Sequence, residues 1–332
     1  MPPSHLTFRR TVFLLSVLAA VLVIVSLAAL LIGSSSVSLT NVFSVLTGRS
    51  DDETARTIIL QLRIPRIILA ILVGAGLSVA GATLQSLLRN PLAEPYILGI
   101  SSGGTVGAFL AITLGLGWAQ LTTPLFSFVG SGLVMMLVYS LGYRRGLLDP
   151  NALLLSGVMV GAFFNSIILV VVAIFNQELR TAYLWMMGNL SGAESSTLVI
   201  VGPLILVSSI VLILQSRALN LIAVGDESAA QFGVNVERIR RLSYILASLI
   251  TGLAVSVSGV IGFVGLLVPH VCRLMFGSDN RIVMPASLIG GGIFLVLCDL
   301  LSRTLLAPSE IPVGAITAAV GAPLFVYLLK RG

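Results

Sequence analysis

The stretch VFLLSVLAAVLVIVSLAALLI, Val12–Ile32, contains 21 residues and no charged side chain. A helix that crosses a bilayer needs about 20 predominantly apolar residues, so this stretch is long enough to span a membrane. The apolar core of a secretory signal is shorter, about 7–15 residues, and no convincing cleavage site follows here. We therefore predict an uncleaved first membrane span.

The rest of the chain repeats this apolar pattern nine times. The segments are 64–88, 95–116, 121–142, 152–174, 195–215, 241–261, 263–276, 282–304 and 311–329. The seventh and eighth spans are separated only by Gly259–Gly265, so nine spans is an open alternative, and the eighth is short for a full crossing. The pattern predicts an all-α polytopic membrane protein with ten transmembrane helices, residues 1–332 forming a single transmembrane domain.

The overall composition supports a membrane protein. The chain is 57% hydrophobic and only 10% charged, with 19 Lys and Arg against 13 Asp and Glu. Soluble domains are about 25% charged, so the composition excludes a soluble enzyme and a disordered chain. The net charge of +6 is explained better by cytoplasmic arginines than by a nucleic-acid site, which would need a basic face in water.

The distribution of basic residues predicts the orientation. With the N-terminus in the cytoplasm, the inner loops and tails hold 13 of the 19 Lys and Arg residues. Cytoplasmic loops carry such an excess, and the opposite orientation would invert it. We therefore expect both termini to be cytoplasmic.

The chain lacks the residues that catalysis would need. Its single lysine is Lys330, so it has no Gly-x-x-x-x-Gly-Lys loop for nucleotide phosphates. Cys272 and Cys298 have no metal-ligand spacing, and no nucleophile–base pair is recognisable. We expect no enzyme activity and no bound cofactor, and any ATP must bind to another chain.

Few ionisable residues fall inside the apolar segments. His270 could relay protons or bind haem, but no carboxylate on a neighbouring segment would pass a proton onward, so a structural role is favoured. Asp299 and Arg303 are four residues apart, and an ion pair on one helix face is the plain explanation. Glu94 and five other acids fall in inner loops, which weakens a cation-driven carrier.

Three loops are not explained by membrane crossing alone. Arg63 and Arg66 lie at the outer mouth of the second span, and Arg89–Pro95 forms a tight inner connection with two prolines. The longest inner loop, about 217–241, contains Gly225–Asn235, which predicts a short helix closed by Gly233. A compact cytoplasmic helix suggests that a partner docks there.

Seven motifs occur in an order typical of one family. They are Leu62–Arg66 (LRIPR), Gly81–Gln85 (GATLQ), Arg89–Pro95 (RNPLAEP), Leu98–Gly103 (LGISSG), Gly262–His270 (GFVGLLVPH), Glu310–Gly314 (EIPVG) and Gly321–Phe325 (GAPLF). From about residue 55 to the C-terminus the chain closely resembles the permease subunits of bacterial ABC importers for iron–siderophores, haem and vitamin B12.

The resemblance implies a type II ABC importer permease fold in a bacterial inner membrane. It implies a second permease subunit, expected to be identical, two cytoplasmic ATPase subunits that bind ATP and Mg²⁺, and a substrate-binding protein outside. The expected cargo is an iron–siderophore, with cobalamin and haem open, and transport would proceed by alternating access. A cation-coupled secondary transporter and a non-transporting scaffold or sensor subunit are the alternatives.

The resemblance also implies roles for particular residues. Those matching the outer docking arginines are Arg63, Arg66 and Arg303. The residues matching the inner gates are Asn90 and Leu92 for the first, and Pro150 and Asn151 for the second. At the second gate the sequence departs from cobalamin importers, which usually have small hydroxyl residues. The residues matching the ATPase coupling segment are Asp226, Glu227, Ala229, Ala230 and Gly233.

Overall fold

The structure, a computed structural model, describes residues 8–33, 37–49, 52–116, 121–144, 146–174 and 185–331. Almost all of these residues are helical. The only strands in these ranges are β1 (Tyr143–Arg144) and β2 (Leu147–Leu148), which form a small antiparallel hairpin. The predicted all-α class is confirmed apart from this hairpin.

Seven helices are long and apolar enough to cross a membrane. They are α1 (Phe8–Leu31), α4 (Ile64–Leu87), α6 (Thr122–Gly142), α7 (Pro150–Ile174), α8 (Ser195–Leu214), α11 (Val236–Ser258) and α13 (Asn280–Thr304). Three shorter apolar helices are α5 (Ile100–Thr113), α12 (Val264–Phe276) and α14 (Val313–Arg331). Each of the ten predicted segments coincides with one of these helices, so a multi-pass membrane protein is confirmed. That all ten cross completely stays a prediction.

The centre of the bundle is α4, which is buried along nearly its whole length against α8, α11, α12 and α13. Its glycines permit this packing. A Cβ at Gly74 would lie 2.2 Å from the carbonyl oxygen of Gly291, and one at Gly81 would lie 1.9 Å from that of Gly265. Helices in lipid associate through such close backbone contacts. Gly74 and Gly81 therefore let α4 approach its neighbours at backbone distance.

The glycines of the third predicted segment, 95–116, have two different structural roles. Gly103 and Gly107 pack α5 against α6, because a Cβ at either would lie 2.5 Å or less from a backbone carbonyl or side chain of that helix. Gly99 has a different role from Gly103 and Gly107. It has a left-handed backbone (φ 72°) and joins the 3₁₀ turn Pro95–Leu98 to α5. The predicted segment 95–116 therefore contains a shorter helix than its apolar length suggested.

The short helices lie at the ends of the bundle. They are α2 (Leu39–Leu46), α3 (Glu53–Arg56) with a following π-helical segment (Thr57–Arg63), α9 (Ser216–Val224) and α10 (Asp226–Gln231). The predicted inner loop 217–241 is thus mostly helical. Gly233 has φ 79° and follows α10 closely, which confirms the short helix closed by this glycine.

The seventh and eighth predicted segments are separate helices, α11 and α12. Between them, Gly259–Phe263 is not helical, and both end residues have left-handed backbones (φ 66° and 68°). A left-handed conformation is unusual for a phenylalanine. Neighbouring side chains must therefore hold this break.

Candidate functional site

A charged cluster lies at the end of the bundle predicted to face outward. Arg66 Nε donates to Asp299 Oδ1 at 2.7 Å, and its Nη1 donates to both carboxylate oxygens of Glu310 at 3.0 and 2.9 Å. Arg303 Nε lies 3.0 Å from Asp299 Oδ2, which confirms the predicted i,i+4 ion pair. Asp299 is fully buried, so its charge is balanced by two guanidinium groups inside the protein.

The same cluster completes the end of α1. Arg63 Nη1 donates to the carbonyl oxygens of Leu30 (2.6 Å) and Leu31 (3.0 Å), and Arg303 Nη2 donates to that of Ala29 (3.2 Å). The last carbonyls of a helix have no partner within it, and cations are favourable at this negative end. The last turn of α1 has no basic residue of its own, so it uses arginines from two other helical segments.

The three predicted docking arginines are buried. Arg63, Arg66 and Arg303 are only 5%, 8% and 5% exposed. They are buried because they bind acids and carbonyl groups that are distant in sequence. The local sequence pattern does not reveal such partners. Their role in docking stays a prediction, and a docking partner would have to compete with groups already bound.

The first predicted gate is a compact turn. Asn90 Oδ1 accepts a hydrogen bond from the backbone N–H of Leu92 at 2.9 Å, and the Asn90 carbonyl accepts from Ala93 at 3.0 Å. An asparagine that binds the backbone two residues ahead stabilises a turn. The Leu92 side chain projects from this turn and is 46% exposed.

The end of the same loop holds the break between α11 and α12. Glu94 Oε1 accepts from the backbone N–H of Phe263 at 2.5 Å, and the Tyr96 hydroxyl accepts from Ile261 at 3.0 Å. The sequence position of Glu94 suggested a free carboxylate in an inner loop. In the structure this carboxylate instead binds the backbone of Phe263. Sequence reasoning missed the role of Glu94 and Tyr96, because their partners lie over 160 residues away.

The second predicted gate is the start of α7. Asp149 Oδ1 accepts from the backbone N–H groups of Asn151 (2.8 Å) and Ala152 (3.2 Å), which caps the helix. Pro150 occupies the first helical position, where proline is favourable, and Asn151 is exposed. The capped turn therefore holds both predicted gate residues in a defined conformation.

The predicted coupling segment is a helix with one face buried. Ala229 is fully buried, Asp226 is partly buried, and Glu227, Ala230 and Gly233 are exposed. Two large apolar side chains flank α10 and were not singled out from the sequence: Val224 is 79% exposed and Phe232 is 74% exposed. Exposed apolar side chains beside a polar helix are typical of a protein-docking surface. The sequence signal that could have identified them is their position as large apolar residues in an otherwise polar loop.

The remaining sequence candidates lie inside the bundle. The His270 ring packs edge-on against Phe325 with ring centres 5.3 Å apart, which fits the structural role favoured for it. Cys272 and Cys298 are free and buried. Among the described residues there is no group of three or more His, Cys, Asp and Glu side chains that could hold a metal ion.

The described residues form a helical bundle whose long apolar helices are typical of a multi-pass membrane protein. The sequence model of the FecCD transport family matches residues 21–331. The chain belongs to the FecCD transport family.

Relatives and a solved structure agree with this family. The chain is 42% identical over 278 residues to the cobalamin import system permease protein BtuC of Halobacterium salinarum, covering 84% of this chain and 74% of the relative. It is 39% identical over 324 residues to the hemin transport system permease protein HmuU of Yersinia pestis, covering 96% and 95%. The inward-facing conformation of a proposed metal-chelate type ABC transporter superposes with a TM-score of 0.86 at 29% identity, covering 96% and 99%. The predicted resemblance to metal-chelate ABC importer permeases is confirmed.

Proposed function

We propose that this chain is the transmembrane subunit of an ATP-driven, binding-protein-dependent importer for a bulky metal chelate in a bacterial inner membrane. The observation that carries this proposal is α10, an otherwise polar helix with Val224 and Phe232 exposed on either side of it. The chain has no phosphate-binding loop of its own. We propose that a docked subunit binds ATP and supplies the energy.

At the cytoplasmic end we propose that two ATPase subunits, each holding ATP and Mg²⁺, dock on the α10 surfaces of a permease pair. Glu227, Ala230 and Gly233 are exposed on this surface, and Phe232 provides an apolar anchor. Few residues carry most of the energy of a typical interface, and large aromatic side chains are frequent among them. Both termini of the permease would lie on the same, cytoplasmic side.

A second, identical permease subunit is supported by the exposed face of α7. Asn165 is exposed near the middle of this 25-residue helix. Asn151 lies 14 residues earlier, close to four helical turns, and is therefore on nearly the same face. Lipid tails cannot satisfy an amide, so polar side chains inside a membrane usually face another helix or a water-filled path. We propose that this face of α7 borders the cargo path between two copies.

At the outer end we propose that a substrate-binding protein docks over Arg66 and Glu310. Glu310 has a 38% exposed side chain and binds the buried guanidinium of Arg66. When the binding protein docks, one of its acidic side chains would replace Glu310 as the partner of Arg66. In the free permease, Glu310 occupies that position. Such charge-assisted pairs would mainly set orientation and association rate.

The cargo that we propose is an iron–siderophore. The relatives described above are named for cobalamin and hemin, with similar identities to this chain. Cobalamin and haem are therefore the alternative cargos that the experiment must compare with an iron–siderophore. Uptake of each radiolabelled chelate by cells that express the complete transporter would distinguish the three cargos.

The mode of energy coupling can be tested in proteoliposomes that contain the permease, its ATPase and its binding protein. We expect uptake that requires ATP inside and the binding protein outside, and that persists when an ionophore removes ion gradients. Uptake that collapses with the ionophore and ignores ATP would instead identify a cation-coupled carrier. No uptake under either condition would indicate a scaffold or sensor subunit.

A further inference from the structure

Asp226, the first residue of α10, binds two arginines from different parts of the chain. Its two carboxylate oxygens each accept from Arg240 Nη2 at 2.8 Å, and Oδ1 also accepts from Arg89 Nη2. Arg240 belongs to α11 and its side chain is only 4% exposed. The Asp226 side chain is 45% exposed, while its carboxylate binds two arginines of the permease itself.

The Arg89 interaction leads to the first gate. Arg89 directly precedes Asn90 and has a left-handed backbone (φ 49°), which is uncommon for an arginine. Its Nε donates to the carbonyl oxygen of Ile222 at 2.9 Å while its Nη2 binds Asp226. One guanidinium therefore joins the residue before Asn90 to both α9 and α10.

The Arg240 interaction leads to the second gate. Arg240 Nη1 donates to the carbonyl oxygen of Leu148 at 3.1 Å, and Glu237 Oε2 accepts from the backbone N–H of Leu148 at 3.1 Å. Both backbone polar groups of Leu148, in β2, are therefore held by side chains of α11. Leu148 is followed at once by Asp149 and Pro150, so β2 leads directly into the start of α7.

We infer that Asp226 is a positioning residue that links the docking helix to both gate segments. Through Arg89 it holds the turn at Asn90, and through Arg240 it holds β2 before Pro150. Arg240 is buried, and among the described residues its Nε has no hydrogen-bond partner, so loss of Asp226 would leave this buried cation with the Leu148 carbonyl as its remaining described acceptor. Breaking such a pair from one side is costly. A movement of α10 therefore carries both gate segments with it.

This inference rests on the proposed function, and it predicts a specific defect. In the complete reconstituted transporter, Asp226→Asn should still assemble with the ATPase and hydrolyse ATP, because α10 and Phe232 remain. Substrate moved per ATP hydrolysed should fall by ~10-fold. A loss of this order is typical when the coupling between two sites is removed. Asp226→Glu should restore part of the ratio, since it keeps the charge.

Asp279→Asn is the matched control. Asp279 lies at the same end of the bundle, begins a helix and pairs with Arg281 at 2.6 Å. Its carboxylate also accepts from Asn220 of α9 at 2.7 Å, but among the described residues it binds neither gate segment, and asparagine also caps helices well. This variant should keep the wild-type ratio of transport to hydrolysis.

Arg89→Gln keeps the test decisive if Asp226→Asn fails to assemble, because it removes only the half-exposed interaction. Where Asp226→Asn does assemble, the double variant should lose no more coupling than Asp226→Asn alone, because both break one unit. A wild-type ratio in Asp226→Asn or in Arg89→Gln would overturn the inference. Absence of ATP-dependent uptake by the wild-type complex would instead overturn the proposed function itself.

Discussion

Arg66 and Asp299 join α4 to α13 through a 2.7 Å bond between Nε and Oδ1, although 233 residues separate them in sequence. Asp299 is fully buried and also faces Arg303. The pair fixes the central helix of the bundle to a helix that is synthesised much later.

Removing the Asp299 carboxylate should destabilise the permease. Asp299→Ala leaves Arg66 and Arg303 buried without their shared acid, and breaking a buried pair from one side costs about 3–5 kcal/mol. Thermal unfolding in detergent would measure the loss. Glu310→Gln, at a half-exposed position of the same cluster, should change stability by less than about 1 kcal/mol, and equal losses in the two variants would contradict this account.

The same glutamate should limit docking of the binding protein. In Glu310→Gln, Arg66 loses its exposed partner and becomes available to an acid of the docking protein. Affinity at low salt should rise a few-fold, chiefly through faster association, whereas Arg66→Glu should weaken it. Surface plasmon resonance with nanodisc-embedded permease measures the affinity and the association rate of each variant. Unchanged affinity in both variants would show that the binding protein does not dock on this cluster.

Close packing of α4 makes Gly81 intolerant of a side chain. The Cβ of Gly81→Ala would lie 1.9 Å from the Gly265 carbonyl oxygen, so α4 and α12 would have to separate. We expect severe loss of folded protein. Gly132→Ala on α6, where the added Cβ meets nothing within 4 Å, should be neutral or slightly stabilising, because alanine is the better helix former. Size-exclusion profiles and yields compare the two.

Phe232 should anchor the ATPase. Phe232→Ser removes an exposed aromatic group beside α10 without touching the core, and truncation of such an anchor typically costs about 2 kcal/mol of binding. The ATPase should then co-purify poorly while the permease remains folded. Phe13→Ser provides the comparison, because Phe13 is similarly exposed but lies on α1; ATPase retained by Phe232→Ser would place docking elsewhere.

Asp279 should make the permease sensitive to acid. The guanidinium of Arg281 lowers the pKa of this carboxyl from 3.8 to about 2. A depressed pKa stabilises the fold above the ordinary value, and this contribution disappears as the pH falls from about 4 to about 2. Wild type should therefore be more heat-stable than Asp279→Asn at pH 6, with the difference narrowing toward pH 2. A constant difference across this range would rule out the titration of Asp279.

The sequence predicted the helices well because hydropathy is a local property. Each apolar segment such as Val12–Ile32 contains its own evidence, and Gly233 marks the end of α10 by its conformational freedom. The charged clusters could not be predicted in this way. Arg89 and Asp226 are 137 residues apart, and no periodicity indicates that Asp226 binds two arginines or that Arg63 meets a helix end. Buried arginines at a predicted membrane boundary look identical, in sequence, to exposed ones.

The capping of α1 also has a consequence for biogenesis. Its final carbonyls at Ala29 and Leu30 receive their donors from Arg303 and Arg63. The end of α1 therefore has both of these donors only after the ribosome has passed residue 303. Synthesis of α1 and completion of its end are separated by the translation of 274 residues.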